Sequence, residues 1–244
     1  GADVTWNVHA RPGSFRPPHH DDFVFGVFQP WWVRFRPEPP ARTQTFTSRT
    51  DGSGRHVLRL DFDAVQPARP TSLTAEGTVT DVNRQAWTAS ASLVVHPAAL
   101  YVGLRSPRLF VQQGEPLLVE AVVADVDGKR AAGRAVAVRA ERLEWEQVEG
   151  EYQEVVAARE DCALTSAAEP LSCRFGTQTG GSYRVTARVQ DDQGRPNETV
   201  LQLWVAGGQQ PRRRNVEKEE VQLIPSKKEY QPGETAEILV LAPF

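Results

Sequence analysis

The chain has 244 residues, with Lys plus Arg totalling 28, Asp plus Glu 31, and a net charge of −3. That near balance excludes the basic excess of a dedicated nucleic-acid binder, and a composition 40% hydrophobic and 24% charged excludes disorder throughout. No apolar run approaches the ~18–20 residues that span a membrane, and no basic, apolar, small-residue leader opens the chain. Met is absent even at position 1, so the chain is read as a piece of a longer protein.

Residues 11–45 are rich in Pro and aromatics. Within them His19-His20-Asp21-Asp22 is the densest set of metal-type ligands. Neighbours on an extended chain point to opposite sides, so this set is read as a solvated loop after Pro17-Pro18. Trp31-Trp32, with Phe28, Phe35 and Trp6, offers a sugar-binding surface or packing area, and packing is the preferred reading.

Period-two patterning dominates the rest. Residues 88–95 (TASASLVV), 117–126 (LLVEAVVADV), 182–191 (SYRVTARVQD) and 198–205 (ETVLQLWV) alternate or run β-branched, then break at Gly, Asp or Pro. No stretch carries apolar residues at helical spacing. The pattern predicts an all-β chain of antiparallel sandwiches. From residue 98 to 206 it predicts strands at Arg108–Gln112, Leu117–Asp125, Ala135–Arg142, Glu151–Cys162, Leu171–Phe175, Gly181–Asp191 and Glu198–Ala206. Their inward positions are Val119, Ala121, Val123, Val136, Val138, Phe175, Tyr183, Val185, Ala187, Val189, Leu201 and Leu203. Glu144, Glu146, Glu149 and Glu151 fall at a hairpin tip, where charge discourages edge pairing.

The chain also repeats. Residues 72–97 match 182–207, aligning Val79 with Val189, Asp81 with Asp191 and Val95 with Val205. Residues 108–136 match 227–244, aligning Phe110 with Tyr230, Gly114 with Gly233 and Glu115 with Glu234. A weaker match joins GADVTWNV (1–8) to GRAVAVRA (133–140). The period is about 110 residues, the size of a seven-stranded sandwich. Residues 1–97 are therefore expected to be a copy lacking its first strands, 98–206 a complete copy, 207–215 (GGQQPRRRN) a linker, and 216–244 the opening strands of a third. The last segment should expose Val221, Leu223, Tyr230, Ile238 and Val240. It should fray or pair between chains, the alternative being a stub packed on the second copy.

Cys162 and Cys173 are the whole thiol inventory. Two cysteines cannot make a four-ligand zinc site, and ten intervening residues are not redox-motif spacing. An even, close pair suits a disulfide in an oxidising compartment; two buried free thiols remain the alternative.

YQPGETAEILVLAPF (230–244) resembles the opening strands of a macroglobulin domain in the alpha-2-macroglobulin superfamily, particularly its large bacterial members. GGSYRVTARVQDDQGRPNETVLQLWVAGG (180–208) is similar to the closing hairpin of the preceding domain. VHPAALYVGLR (95–105) resembles a junction between two such domains, and CALTSAAEPLSCRF (162–175) a cysteine-bounded segment of the bacterial proteins. The resemblance covers nearly the whole chain and is weakest over 11–45. It implies tandem macroglobulin sandwiches, immunoglobulin-like or fibronectin-III-like, in a protease-trapping inhibitor outside the cytoplasm. Such a parent would hold a protease after cleavage of a bait segment, and many members also carry a Cys-Gly-Glu-Gln thioester. Neither cysteine here precedes Gly-Glu-Gln, and the bait would follow residue 244. The implied partners are other domains of the parent and, through its bait, target proteases. An extracytoplasmic place, periplasmic, surface or secreted, goes with this reading, with lipid anchoring of the parent left open. The competing class is a stack of immunoglobulin-like modules from an adhesin or sugar-binding protein.

No catalytic or cofactor set emerges. Asp125, Asp127 and Gly128 lack the closing Glu of a calcium loop and read as a polar turn. Ser166, Ser182 and the five histidines form no nucleophile elbow. The clustered glutamates read as a solvated face rather than a glycosidase pair. Arg212-Arg213-Arg214 reads as a hinge. Asn197-Glu198-Thr199 fits a glycosylation sequon. No enzyme activity, metal or cofactor is expected.

Overall fold

In the computed structural model, the described residues are 1–28, 30, 42–62, 68–148, 151–207, 221–227 and 229–241, with side chains at 148, 151 and 152 outside the description. All regular structure among them is β. In order the strands are β1 (Asp3–Pro12), β2 (Val27–Phe28), β3 (Arg42–Arg49), β4 (Thr71–Thr80), β5 (Ala86–Val95), β6 (Leu100–Arg105), β7 (Phe110–Gln112) and β8 (Leu117–Asp125). There follow β9 (Ala135–Val148), β10 (Glu151–Thr165), β11 (Leu171–Phe175), β12 (Gly181–Gln190), β13 (Pro196–Ala206), β14 (Gln222–Pro225) and β15 (Ile238–Leu241).

Two compact units emerge, one of Gly1–Phe15 with Arg36–Ala98, the other of Arg16–Phe35 with Ala99–Phe244. The first is a four-stranded antiparallel sheet, order β3-β1-β4-β5. Among the described residues of its strands, Val4, Val8 and Leu73 are the buried apolar side chains. Trp6 lies over Gly77 and donates its indole N–H to His56 Nδ1 at 3.1 Å.

The second unit is a two-layer sandwich. One layer runs β10-β9-β12-β13 and the other β11-β8-β6. The alternation that makes these strands also fills the space between them: all twelve inward positions expected from the sequence are buried. Leu100, Val102 and Leu104 of β6 add to that core, while Tyr101 is buried on the opposite face of the strand.

Local chemistry repeats with the strands. At Asp51, Asp81, Asp125 and Asp191 a carboxylate oxygen accepts the backbone N–H groups two and four residues on. The fourth residue of each turn has positive φ: Gly54, Arg84, Gly128 and Gly194. Glu115 and Glu234 likewise accept the N–H groups of Gln112 and Gln231, each after a glycine near φ +90°. The aligned acidic residues are thus turn-formers, since a short carboxylate can bond its own backbone where the chain reverses.

The C-terminal hairpin β14–β15 has two faces. Val221, Leu223, Ile238 and Val240 are exposed, whereas Ile224 is fully buried in the core of the second unit, with Leu239 and Leu241 packed against it. The Leu109 N–H donates to Ser226 O at 2.8 Å. The hairpin is therefore docked on the second unit, as the packed-stub alternative has it, rather than frayed. Tyr230 is not part of the exposed row; its hydroxyl bonds Ser226 Oγ at 2.9 Å.

Candidate functional site

On the second unit a strap, residues 16–28, lies across β6, the β8 turn and the edge of β13. Its path is fixed by backbone pairing: Val24 and Leu104 exchange N–H···O bonds at 2.8 and 2.9 Å. Val27 and Phe28 then run parallel to Val200 and Leu201. Gly103 and Gly128 leave room for it. A Cβ on Gly103 would meet the Phe25 ring at 2.6 Å, and one on Gly128 the Pro18 carbonyl oxygen at 2.2 Å.

Polar groups lock the strap. Asn197 and Thr199 are both buried on β13. Asn197 Oδ1 accepts the Val102 N–H at 2.9 Å, and the Thr199 hydroxyl donates to Val102 O at 2.7 Å while accepting the Gly26 N–H at 2.9 Å. Phe23 is buried under the Arg105 guanidinium, 4.6 Å from the ring, and Arg105 pairs with both Asp22 and Glu120. The sequence marked Asn197 and Thr199 only as parts of a sequon and Asp22 only as part of a metal-type set, and their locking role went unread. Their signal was polar side chains on the inward phase of a strand, which single-strand patterning treats as noise.

The His19-His20-Asp21-Asp22 set is pulled apart by this docking. His20 is buried against Phe23 and Phe25, with Nε2 2.9 Å from Gly128 O. Asp22 goes to Arg105 and Asp21 to Arg16. Among the described residues no group of three or more His, Cys, Asp or Glu is placed to hold a metal ion. The reading of a solvated loop is corrected at His20, whose ring a close-fitting backbone encloses.

Cys162 and Cys173 are joined in a disulfide with Cα atoms 6.2 Å apart. It ties β10 in one layer to β11 in the other. Glu141 lies on β9 beside Arg184 and Arg159, and Arg184 also reaches Glu154 at 3.0 Å. Burial alone would raise the Glu141 carboxyl; hydrogen bonds from Arg184 and Arg159 overcome it and hold the group below the usual carboxylate range. This is a satisfied ion network on three adjacent strands.

Several other sequence candidates have structural partners. Ser166 donates to Ala131 O and accepts the Arg134 N–H, closing a turn. Ser182 accepts from Gln202. Glu144 pairs with Arg142 on the β9–β10 hairpin. Asn197 is buried, so the sequon is closed to modification in the folded chain. Trp31, Trp32, Phe35, Arg212, Arg213, Arg214 and Glu149 lie outside the described residues. A cavity of about 270 Å³ between β7 and β15 is lined by Arg108, Phe110, Glu115, Glu237 and Leu239, and its Arg108 and Glu237 pair with each other.

No family model matches the chain. In sequence it is 24% identical over 256 residues to an alpha-2-macroglobulin homologue from Nostoc sp., a match covering 100% of this chain and 13% of that protein. Along its whole length the chain is thus similar in sequence to an alpha-2-macroglobulin homologue. A second match, 26% identical over 137 residues, is to circularly permutated Ras protein 2 of Dictyostelium discoideum, covering 52% of the chain and 4% of that protein. Solved alpha-2-macroglobulins share its fold from end to end. Trypsin-activated Escherichia coli alpha-2-macroglobulin aligns at TM-score 0.55 and 18% identity, covering 100% of this chain and 17% of that one. The Salmonella protein reacted with methylamine aligns at TM-score 0.53 and 17% identity, with shares of 100% and 16%. The chain thus spans about an eighth of the length of its Nostoc relative. Among its described residues no helix is long and apolar enough to cross a membrane.

Proposed function

We propose that the chain is a scaffold segment of an alpha-2-macroglobulin-like endopeptidase inhibitor, acting outside the cytoplasm and without catalytic activity of its own. The sequence match to the Nostoc homologue along the entire chain carries this reading. Residues 98–206 are read as one complete macroglobulin domain, 1–97 as part of the preceding one, and 216–244 as the opening of the next. The sandwich cross-linked by Cys162–Cys173 supports a rigid positioning role, and a disulfide suits an oxidising compartment. Trapping works by enclosure, which needs more protein than two units supply.

The test compares this chain with the full-length inhibitor it is read as part of. Trypsin is assayed on a large protein substrate after incubation with each at equimolar ratio. The full-length protein should protect the substrate and the chain alone should leave cleavage unchanged. Inhibition by the chain alone, or no protection by the full-length protein, would overturn the proposal.

A further inference from the structure

The strap is fastened to the second unit at several points, and these differ in what a proton can do to them. Val24 and Leu104 pair through their backbones, the Gly26 N–H is held by the Thr199 hydroxyl, and Val27 and Phe28 run along Val200 and Leu201. None of these groups changes charge near neutrality. The ion pairs of Arg105 with Asp22 and Glu120 rest on carboxylates, a class that titrates near pH 4. The remaining fastening is a histidine, the side chain whose charge changes between about pH 5 and 8.

His20 is only 3% exposed. Its Nε2 lies 2.9 Å from Gly128 O, and a carbonyl oxygen only accepts, so Nε2 carries the ring proton. Nδ1 is buried and has no hydrogen-bond partner. The rings of Phe23 and Phe25 stand edge-on to the imidazole, with centroids 6.4 and 6.1 Å away. A second proton has to go on Nδ1, where it finds neither an acceptor nor water. A buried cation left without a partner is strongly disfavoured.

The charged groups around the ring give it no relief. On the strap, Asp21 pairs with Arg16 and Asp22 with Arg105. From β6 the Arg105 guanidinium stands over Phe23, 4.6 Å from its centroid, so a second cation beside Phe23 meets a like charge. On β8, Glu120 is bonded to Arg105. In the turn that follows, Asp125 Oδ1 accepts the N–H groups of Asp127 and Lys129, and those two side chains are exposed. The docked strap is also held against local strain. His19, itself exposed, has φ +63°, a left-handed conformation that is costly for a residue with a side chain.

We infer that the strap is a proton-released latch, docked while His20 is neutral and let go as the ring takes up its second proton. The docked form shuts that proton out and the released form admits it, so acid favours release. Docking is complete above the range in which a free imidazole titrates, about pH 6.5, and weakens by about tenfold for each pH unit below it. Release uncovers the edge of β6 at Leu104 and of β13 at Val200. This conformational device is independent of protease trapping, and it stands or falls separately.

The test is amide exchange of the full chain at pH 7.5 and 5.5, each rate corrected for the intrinsic chemical rate at that pH. The amides of Val24, Gly26, Leu104 and Val200 report the strap, and that of Val185 on β12 reports the sandwich. Opening at the strap amides should rise about tenfold at pH 5.5, with Val185 unchanged. His20→Gln keeps an N–H for Gly128 O but takes up no proton in this range, and should erase the dependence. If that variant fails to dock at pH 7.5, ring nitrogen spectra of the wild-type chain decide. His20 should then carry one proton, on Nε2, at pH 7.5, and gain the second in step with the loss of Val24 protection. Equal strap opening at the two pH values, an equal rise at Val185, the same dependence in docked His20→Gln, or a doubly protonated ring in a strap that stays docked would overturn the inference.

Discussion

Asp191 does more than turn a hairpin. Its carboxylate accepts four hydrogen bonds, from the N–H groups of Ala99, Gln193 and Arg195 and from the Arg195 guanidinium. Burial by itself would raise this carboxyl, but those bonds outweigh it and hold the group at about 2, against an ordinary 3.8. A depressed folded-state value adds stability above the unfolded pKa, which is lost as pH falls through the folded one. The contribution is up to about 2 kcal/mol at neutral pH, disappearing between roughly pH 4 and pH 2. Asp191→Asn should therefore destabilise the second unit by about that amount at pH 7, measured by urea unfolding. Its stability should then fall less steeply than wild type on acidification from pH 4. An equally steep fall in the variant would assign the acid sensitivity elsewhere.

At the scale of elements, the C-terminal hairpin shows why a two-residue period can be read correctly and still mislead. Alternation on β14 and β15 separates Leu223 and Val240 from Ile224 and Leu239, and both sets are apolar. The exposed set alone is legible as an apolar face, which is why a frayed or exchanged tail is expected ahead of a packed stub. What seats the hairpin is the second set, inserted into a core already formed by β6, β8, β12 and β13. Ile224→Ala should cost about 2–4 kcal/mol, because the buried methyl groups leave a space that close-packed neighbours cannot fill. Leu223→Ala, one residue away on the exposed face, should stay within about 0.5 kcal/mol. Matching losses in the two variants, by thermal or urea unfolding, would contradict the docked hairpin.

At the scale of the molecule, the fold was legible wherever partner strands are close in sequence. β12 and β13 share a turn at Asp191, and their alternation predicts both the pairing and the buried set. The third, weakest repeat match, GADVTWNV with GRAVAVRA, also proves structural, since β1 and β9 occupy equivalent places. The strap was not legible. FVFGVF at 23–28 has strand composition, but its partners are Leu104 and Val200, and local pattern carries no address for a partner so distant. The Glu141 network was hidden for the same reason, as its charges become neighbours only after β9, β10 and β12 are in register. Composition likewise says nothing of whether a sheet is covered.

Coverage is where two otherwise equivalent sheets differ, and it has a measurable consequence. β4 and β12 make the same ladders with the same register, yet β12 buries Tyr183, Val185, Ala187 and Val189 beneath a second layer, whereas on β4 only Leu73 is buried. Backbone hydrogen bonds are individually modest, and water competes for those it can reach. Protection against amide exchange therefore follows the apolar packing around a ladder rather than the ladder itself. The amides of residues 182–190 should exchange only through large openings of the sandwich, and those of 72–80 through smaller, local ones. Each 1.4 kcal/mol of difference in opening free energy separates their rates tenfold, so a gap of at least two decades is expected in hydrogen–deuterium exchange at neutral pH. Equal protection of the two strands would show that the ladders alone set local stability.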